Sequence, residues 1–370
     1  MTGKTAKKRY RFRPLLWINY LFIVLLLLTN LTPYIAPDIF WPMTLLALVT
    51  PILIIINILF FLLWAVSLKI YLLYPLLALI LSYSMILNHF QLGNTSEVNN
   101  DTKAIKLLTF NARNLSNNNN YRGDKLIRAQ IAEFVKEQSA DIVCFQEFQT
   151  YPTKGVNSVK DYQNILGLKH IHSIQYLKDN THEFIDLLVL YTRYPIINSY
   201  DFYMDDKTYG FYVDLNIDGV TTRVFNLHLE SNHFNKSDYQ IFSKSENSLD
   251  VDNRSRMMAL LQKLKKYSIK RSHQAGMISK AIEDSPYPVI VAGDFNDTPA
   301  SYTYQRISRH LSDAFLIKGS GYSNTYNGNL PPMRIDYTLF SDGFLVDDYQ
   351  VLKPDLSDHF PISVTFNIKR

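Results

Sequence analysis

Asp294 and Asn296 stand two positions apart at the end of the apolar run Val289-Ile290-Val291-Ala292-Gly293. If that run is a strand, successive side chains alternate faces, and the carboxylate and carboxamide point the same way. Such a pair can hold a water or a metal ion and orient a phosphate oxygen. Five further stations carry similar groups. Asn111 closes an apolar run and is followed by Arg113; Glu147 ends Phe145-Gln146-Glu147; Asn226 and His228 share a face in Phe225-Asn226-Leu227-His228-Leu229. Asp336 lies in Arg334-Ile335-Asp336-Tyr337, and Ser357-Asp358-His359-Phe360-Pro361 comes last. Each piece alone has an ordinary explanation: a solvated carboxylate, a half-buried histidine, an Arg334–Asp336 pair, a turn before Pro361. Together they matter, because buried charges are costly unless paired or metal-bound. Carboxylates with amides suit a hard cation, Mg2+ first and Mn2+ as the alternative. No cysteine cluster and no His-Glu-x-x-His pattern supports a zinc site.

Apolar strands that release polar residues at their ends are the elements that must position these groups. The alternation predicts strands over 105–111, 141–147, 184–191, 211–217, 222–229, 289–294, 334–340 and 362–368. Helical spacing covers 123–137, where Leu126, Ile127, Ile131, Phe134 and Val135 share a face, and most of 256–284. Residues 117–120 read as a loop and 232–253 as a long polar insertion. The expectation is an α/β sandwich with a site along one rim.

The N-terminal quarter differs in kind. Residues 14–37, 39–68 and 70–96 contain no Asp, Glu, Lys or Arg, and each run is long enough to cross a hydrocarbon core. Three transmembrane helices are expected at about 15–33, 42–64 and 69–88, forming an anchor over 1–90. A linker over 91–102 and a catalytic domain over 103–370 follow. Trp17, Tyr34, Trp41 and Tyr83 are candidate interfacial anchors. Lys4, Lys7, Lys8, Arg9, Arg11 and Arg13 hold the N-terminus inside, with Lys69 in the second inside turn. The expected location is a multi-pass membrane protein, of the inner membrane in a bacterium, with the catalytic domain on the periplasmic side. Of 38 Lys and Arg, seven lie in 1–90, leaving 31; of 33 Asp and Glu, one lies there, leaving 32. The domain is therefore near neutral, which weighs against a sequence-independent grip on nucleic acid. Cys144, the single cysteine, allows no intramolecular disulfide and reads as a small buried apolar residue.

The order and content of Thr109-Phe110-Asn111, Phe145-Gln146-Glu147, Asn226-Leu227-His228-Leu229, Gly293-Asp294-Phe295-Asn296, Arg334-Ile335-Asp336-Tyr337 and Ser357-Asp358-His359 resemble the endonuclease/exonuclease/phosphatase (deoxyribonuclease I-like) superfamily. The stretch 294–301 and the glycine-containing 319–328 loop look like its bacterial branch. The resemblance spans about 105–368 and implies a four-layered α/β sandwich that hydrolyses phosphoester bonds with a divalent metal. It implies Glu147 as the main metal ligand, with Asn111 and Asp358 beside it. It implies Asp294 and Asn296 on the attacking water, His359 facing the phosphate with Asp336 orienting it, and His228 donating to a phosphate oxygen. Arg113 and Asn226 are candidate substrate contacts. Two features depart from the family pattern. Thr192 stands before Arg193 where a serine is common, and no tyrosine occupies the position of His228, which argues against the DNA-repair branch.

These readings give a membrane-anchored, Mg2+-dependent phosphodiesterase acting on a phospholipid or glycolipid head group. An anchored nuclease acting on DNA or RNA is the alternative, and a catalytically inactive binding protein on the same fold is the third reading. The expected partners are the lipid bilayer and the phosphoester substrate, with no obligate protein partner. Between Asp294 and His359 the sequence leaves the general base open, as it does the substrate, the oligomeric state and the ligand of the 232–253 insertion.

Overall fold

The computed structural model describes residues 13–93, 104–115, 125–150, 159–178, 185–205, 207–234, 238 and 251–369. The basic tail up to Arg11, residues 94–102 of the expected linker, the Asn117–Asn120 loop and most of the 232–253 insertion lie outside the described residues.

The N-terminal part consists of α1 (Arg13–Thr29), α2 (Pro37–Phe40), α3 (Pro42–Val66), α4 (Leu73–Leu81) and α5 (Tyr83–His89), followed by the short strand β1 (Phe90–Leu92). Three full spans are not what forms. Among the described residues, by length and composition, only α3, with 25 residues, could cross a membrane alone. α1 has 17 residues and ends at Thr29, whose hydroxyl donates to Leu26 O at 2.7 Å as the chain enters a turn. The third apolar segment breaks at Ser82 (φ −101°, ψ 19°), and its two halves meet at 65°. The described residues thus hold one candidate span, or two if the bent pair counts as one. An apolar run guarantees compatibility with lipid; it does not guarantee an unbroken hydrogen-bonded helix, which Thr29, Pro33 and Ser82 interrupt here.

The C-terminal part begins with β2 (Ala104–Asn111), α6 (Lys125–Glu137), β3 (Ile142–Thr150), α7 (Val159–Leu166), β4 (His170–Lys178) and β5 (Ile185–Thr192). It continues through β6 (Ile196–Met204), β7 (Lys207–Ile217), β8 (Val220–His228), α8 (Val251–Glu283), β9 (Val289–Asp294) and α9 (Tyr302–Ser308). It ends with β10 (Ser312–Asp313), α10 (Ala314–Lys318), β11 (Ser320–Tyr322), β12 (Asp336–Phe340), β13 (Phe344–Val351) and β14 (Ile362–Ile368). One six-stranded sheet has the order β13-β14-β2-β3-β5-β4 and the other β10-β12-β9-β8-β7-β6, while β1 pairs with β11.

Alternation along the strands builds the layers. Leu107 of β2, Cys144 of β3, Leu190 of β5 and Val364 of β14 meet Val213, Val224 and Ile290 of the other sheet in the central core. The intervening residues Leu108, Phe110, Phe145 and Tyr191 face outward under Ile127, Ile131 and Val135 of α6 and Tyr162 of α7. On the opposite side Phe225, Leu227, Val291 and Leu339 pack under Ala275 and Ile278 of α8 and Tyr304 of α9. The result is the helix–sheet–sheet–helix sandwich that the strand pattern predicts.

One polar residue bridges the two sheets. Asn226 of β8 is fully buried; its Nδ2 donates to Phe145 O and Val189 O, both at 3.1 Å, and its Oδ1 accepts from Gln146 Nε2 at 2.7 Å. The bridge sits beside the register shift between Phe145 and Phe148, where β3 departs from regular pairing with β5. A leucine at 226 keeps the volume but withdraws the donor from both carbonyls and leaves Gln146 Nε2 only Thr109 Oγ1, at 3.1 Å. Asn226→Leu is expected to lower stability by about 3 kcal/mol, at roughly 1–3 kcal/mol for each buried group left unsatisfied. Chemical denaturation of the detergent-solubilised chain measures it, and a loss below about 1 kcal/mol would remove the bridging role.

Candidate active site

Parallel pairing of β8 with β9 and antiparallel pairing of β9 with β12 decide the rim. The register puts His228 beside Asp294 and Asp294 opposite Asp336. Gly293 permits the close approach: at φ +138° it lies against β8, and a Cβ there would stand 2.1 Å from Leu227 O. β2 reaches the same end from the other sheet and delivers Asn111, whose Nδ2 donates to Asp294 Oδ2 at 3.0 Å. The other Asp294 oxygen accepts the Asn296 backbone N–H at 2.7 Å, a local turn in which Asn296 adopts φ +52°. The Asn296 side chain donates to Leu229 O at 2.9 Å, and Leu229 N–H in turn donates to Asp294 O at 3.0 Å.

Glu147 does not end its strand as the sequence reading has it. β3 runs on to Thr150, and Glu147 sits in the irregular stretch with φ +49°. A bulge re-aims one side chain without ending a strand, and here it turns Glu147 toward the rim, 3.5 Å from His228 Nε2. His228 is buried, and its Nε2 lies 3.9 Å from Asp294 Oδ2.

His359 occupies the centre of the charged cluster. Its Nδ1 is 2.9 Å from Asp336 Oδ2 and its Nε2 is 3.8 Å from Asp294 Oδ2. The Ser357 hydroxyl holds the loop by donating to Asn111 O at 2.9 Å and accepting from His359 N at 3.2 Å. Asp358 pairs with Arg113 Nε at 3.3 Å, so both are partly engaged with each other at the edge of the site.

The electrostatics follow from burial and proximity. Burial favours a neutral imidazole at His359, but Asp336, Asp294 and Asp358 outweigh it and push its pKa up to about 10. Burial and the facing Asp336 raise Asp294 to about 6, against the lowering pull of the two histidines and the Asn296 N–H. Burial lowers His228, which favours the neutral ring. Burial and the nearby Asp358 raise Glu147. Two groupings could hold a cation. Asp294, Asp336 and His359 offer ligand atoms within 4.8 Å of one another. Glu147, Asn111 and Asp358 offer oxygen donors of the kind a hard divalent ion prefers.

The structure thus gathers Asn111, Glu147, His228, Asp294, Asn296, Asp336 and His359 at one rim, with Asp358 and Arg113 at its edge. Asn226 is not among them; its amide is spent between the sheets, which corrects its assignment as a substrate contact. Arg334 pairs not with Asp336 but with Asp313, at 2.6 Å. Two supporting residues escape a reading of the sequence. Thr325 Oγ1 accepts the N–H groups of Ile335 and Asp336 at 3.0 and 3.1 Å. The Tyr326 ring packs edge-on against His359 with centroids 5.3 Å apart. Both lie in the 319–328 loop, whose glycines announce a turn but whose threonine and tyrosine carry no periodic signal.

Comparison with known proteins agrees with the fold. The chain matches the Endonuclease/Exonuclease/phosphatase family over residues 108–359 and a domain of unknown function (DUF8431) over residues 12–89. No curated protein matches it. Among solved structures it is similar to an endonuclease/exonuclease/phosphatase family protein from Bacteroides thetaiotaomicron, at 18% identity and TM-score 0.50, over 73% of this chain and 100% of that one. A mannosyl-6-phosphatase from the same species is 18% identical, TM-score 0.45, over 71% of this chain and 99% of that one. TDP2 from C. elegans is 16% identical, TM-score 0.48, over 72% and 76%. With the family match running from β2 through the histidine of the rim, the chain belongs to the Endonuclease/Exonuclease/phosphatase family.

Proposed function

We propose that the chain is a divalent-metal-dependent phosphodiesterase, held at a membrane by its N-terminal helices and acting on a phospholipid or glycolipid head group. The observation that carries the chemistry is the placement of His359 between Asp336 and Asp294, with Asn111, Glu147 and His228 around them.

The roles follow from charge. His359, kept protonated by Asp336, Asp294 and Asp358, is a donor to a phosphate oxygen and not the base. Asp294 is the base: its two oxygens are oriented by Asn111 and the Asn296 N–H, and a carboxylate near 6 takes a proton from water better than an ordinary one. Neutral His228 donates a second hydrogen bond to the phosphate. The oxygen set of Glu147, Asn111 and Asp358 fits Mg2+, because a cation would offset the burial and the Asp358 repulsion that together raise Glu147. When bound, the ion neutralises charge that builds on the phosphoryl oxygens.

The membrane reading rests on an inverted pattern of burial. Most of the exposed large apolar side chains of the described residues lie in 13–93, including Trp17, Ile39, Leu68 and Ile70, whereas Asn19 and Asn57 are fully buried. Trp64 Nε1 donates to Asn19 Oδ1 at 2.9 Å, and Asn57 Nδ2 donates to Phe22 O at 3.1 Å. Polar groups inside and apolar groups outside is the arrangement a hydrocarbon solvent favours.

Asp294→Asn and His359→Ala are each expected to lower kcat about 10^2 to 10^4-fold on a phosphodiester in Mg2+ while the chain stays folded. Full activity in either variant would falsify the assignment. With lipid vesicles and plasmid DNA as paired substrates, head-group release is the expected outcome; DNA cleavage without it favours the nuclease. The charged state of His359 is tested separately. A pKa raised from 6.5 to about 10 means the folded chain binds this proton more tightly than the unfolded one. Its contribution to stability is full below pH 6.5 and is lost as pH rises through about 10. Thermal unfolding in chelator should show that decline, and His359→Asn should flatten it; an unchanged slope assigns the titration elsewhere.

A further inference from the structure

The N-terminal helices meet the catalytic part at the segments that bear its chemistry. Pro51 lies inside α3 and has no N–H to give the carbonyl four residues before it, that of Ala47. The Thr298 hydroxyl, two residues past Asn296, donates to Ala47 O at 3.2 Å. Asn88 O belongs to the last turn of α5, where helix carbonyls lack intrahelical donors. Arg334, two residues before Asp336, donates to Asn88 O through Nη2 at 2.9 Å. In the reverse direction Thr32 Oγ1 lies 2.6 Å from Ala300 O and 2.8 Å from Thr29 O, one proton shared between two carbonyls. Behind these contacts Tyr337 Oη ties the two catalytic segments together, 2.9 Å from Asp297 O and 3.0 Å from Arg334 O.

We propose that the N-terminal helical unit is a positioning element of the active centre, clamped to it through backbone carbonyls that its own helices leave unpaired. An unpaired carbonyl in apolar surroundings is expensive. Two of these carbonyls receive their donors from the segments that carry Asp294, Asn296 and Asp336. A domain swinging on a flexible tether would leave Ala47 O bare; a clamped one pairs it. Thr298 and Arg334 are positioning residues in this scheme. They touch no reacting atom and act by fixing the carboxylate that takes the proton and the one that orients His359. The inference rests on the phosphodiesterase reading for its consequence in turnover, but not for the clamp itself.

The experiment uses the full chain in lipid nanodiscs with bis(4-nitrophenyl) phosphate and Mn2+. Thr298→Val is expected to lower kcat on the order of fivefold with KM changed less than about twofold, and to lower Tm. Thr298→Ser, which keeps the donor, should restore both. Adding Pro51→Ala to Thr298→Val supplies Ala47 O with a helical N–H, so Tm should return while kcat stays low. If kcat returns together with Tm, or never falls in Thr298→Val, the positioning role is overturned. Amide exchange over 289–301 and 334–340 gives a readout independent of turnover, and it should quicken in both valine variants. Should the wild-type chain hydrolyse nothing, the phosphodiesterase reading fails and exchange alone decides the clamp; unchanged exchange overturns it.

Discussion

Two carboxylates set directly opposite each other in a buried antiparallel pair is the constraint around which this molecule is organised. The β9–β12 register leaves Asp294 and Asp336 no other arrangement. Such a pair is unfavourable unless a cation or donors compensate it. His359 supplies the positive charge, and Asn111 and the Asn296 N–H supply donors to Asp294. The loop that carries His359 is held by Ser357, and Asp336 is held by Thr325. Much of the polar structure at the rim can be read as a response to that one juxtaposition.

The response draws on both sheets, so the sandwich has to hold them in a fixed relation. Apolar interdigitation supplies most of the adhesion but little directional precision. Asn226 adds direction, hydrogen-bonding across the sheets to Phe145 O and Val189 O next to the irregular stretch that aims Glu147. A residue that reads from its type as part of the chemistry thus serves the geometry that the chemistry needs. Arg334 is similar. It sits among Phe315, Tyr337 and Tyr304 and pairs with Asp313, giving the segment that leads into β12 a rigid foundation.

The N-terminal unit has a different pattern of burial from the rest of the chain. Asn19 and Asn57 are inside, many of its leucines and isoleucines are outside around a small core of Leu26, Leu53 and Ile54, and its broken helices offer unmet carbonyls to the neighbouring domain. A proline within α3 is therefore both a local defect and a point of attachment. The same substitution in a helix with no donor nearby would only destabilise it.

Strand alternation and the recurring acids, amides and histidines at apolar-run ends were enough to point to a two-sheet α/β sandwich and to most of the residues that meet at its rim, although Asn296 lies past the end of β9 in a turn rather than on the strand face of Asp294. These features are local, and side-chain alternation follows from backbone geometry alone. Strands β4, β6 and β13 were not legible, because their burial pattern depends on neighbours far away in the chain. The number of apolar runs suggested three spans, whereas backbone breaks near Thr29 and at Ser82 shorten one helix and bend another. Residue type made Asn226, Asp294 and Asp336 look alike as candidates. Only tertiary packing separated a buried inter-sheet bridge from paired carboxylates at the rim, because hydrogen-bond partners and electric fields are set by what folding brings near, and spacing along the chain carries no record of that.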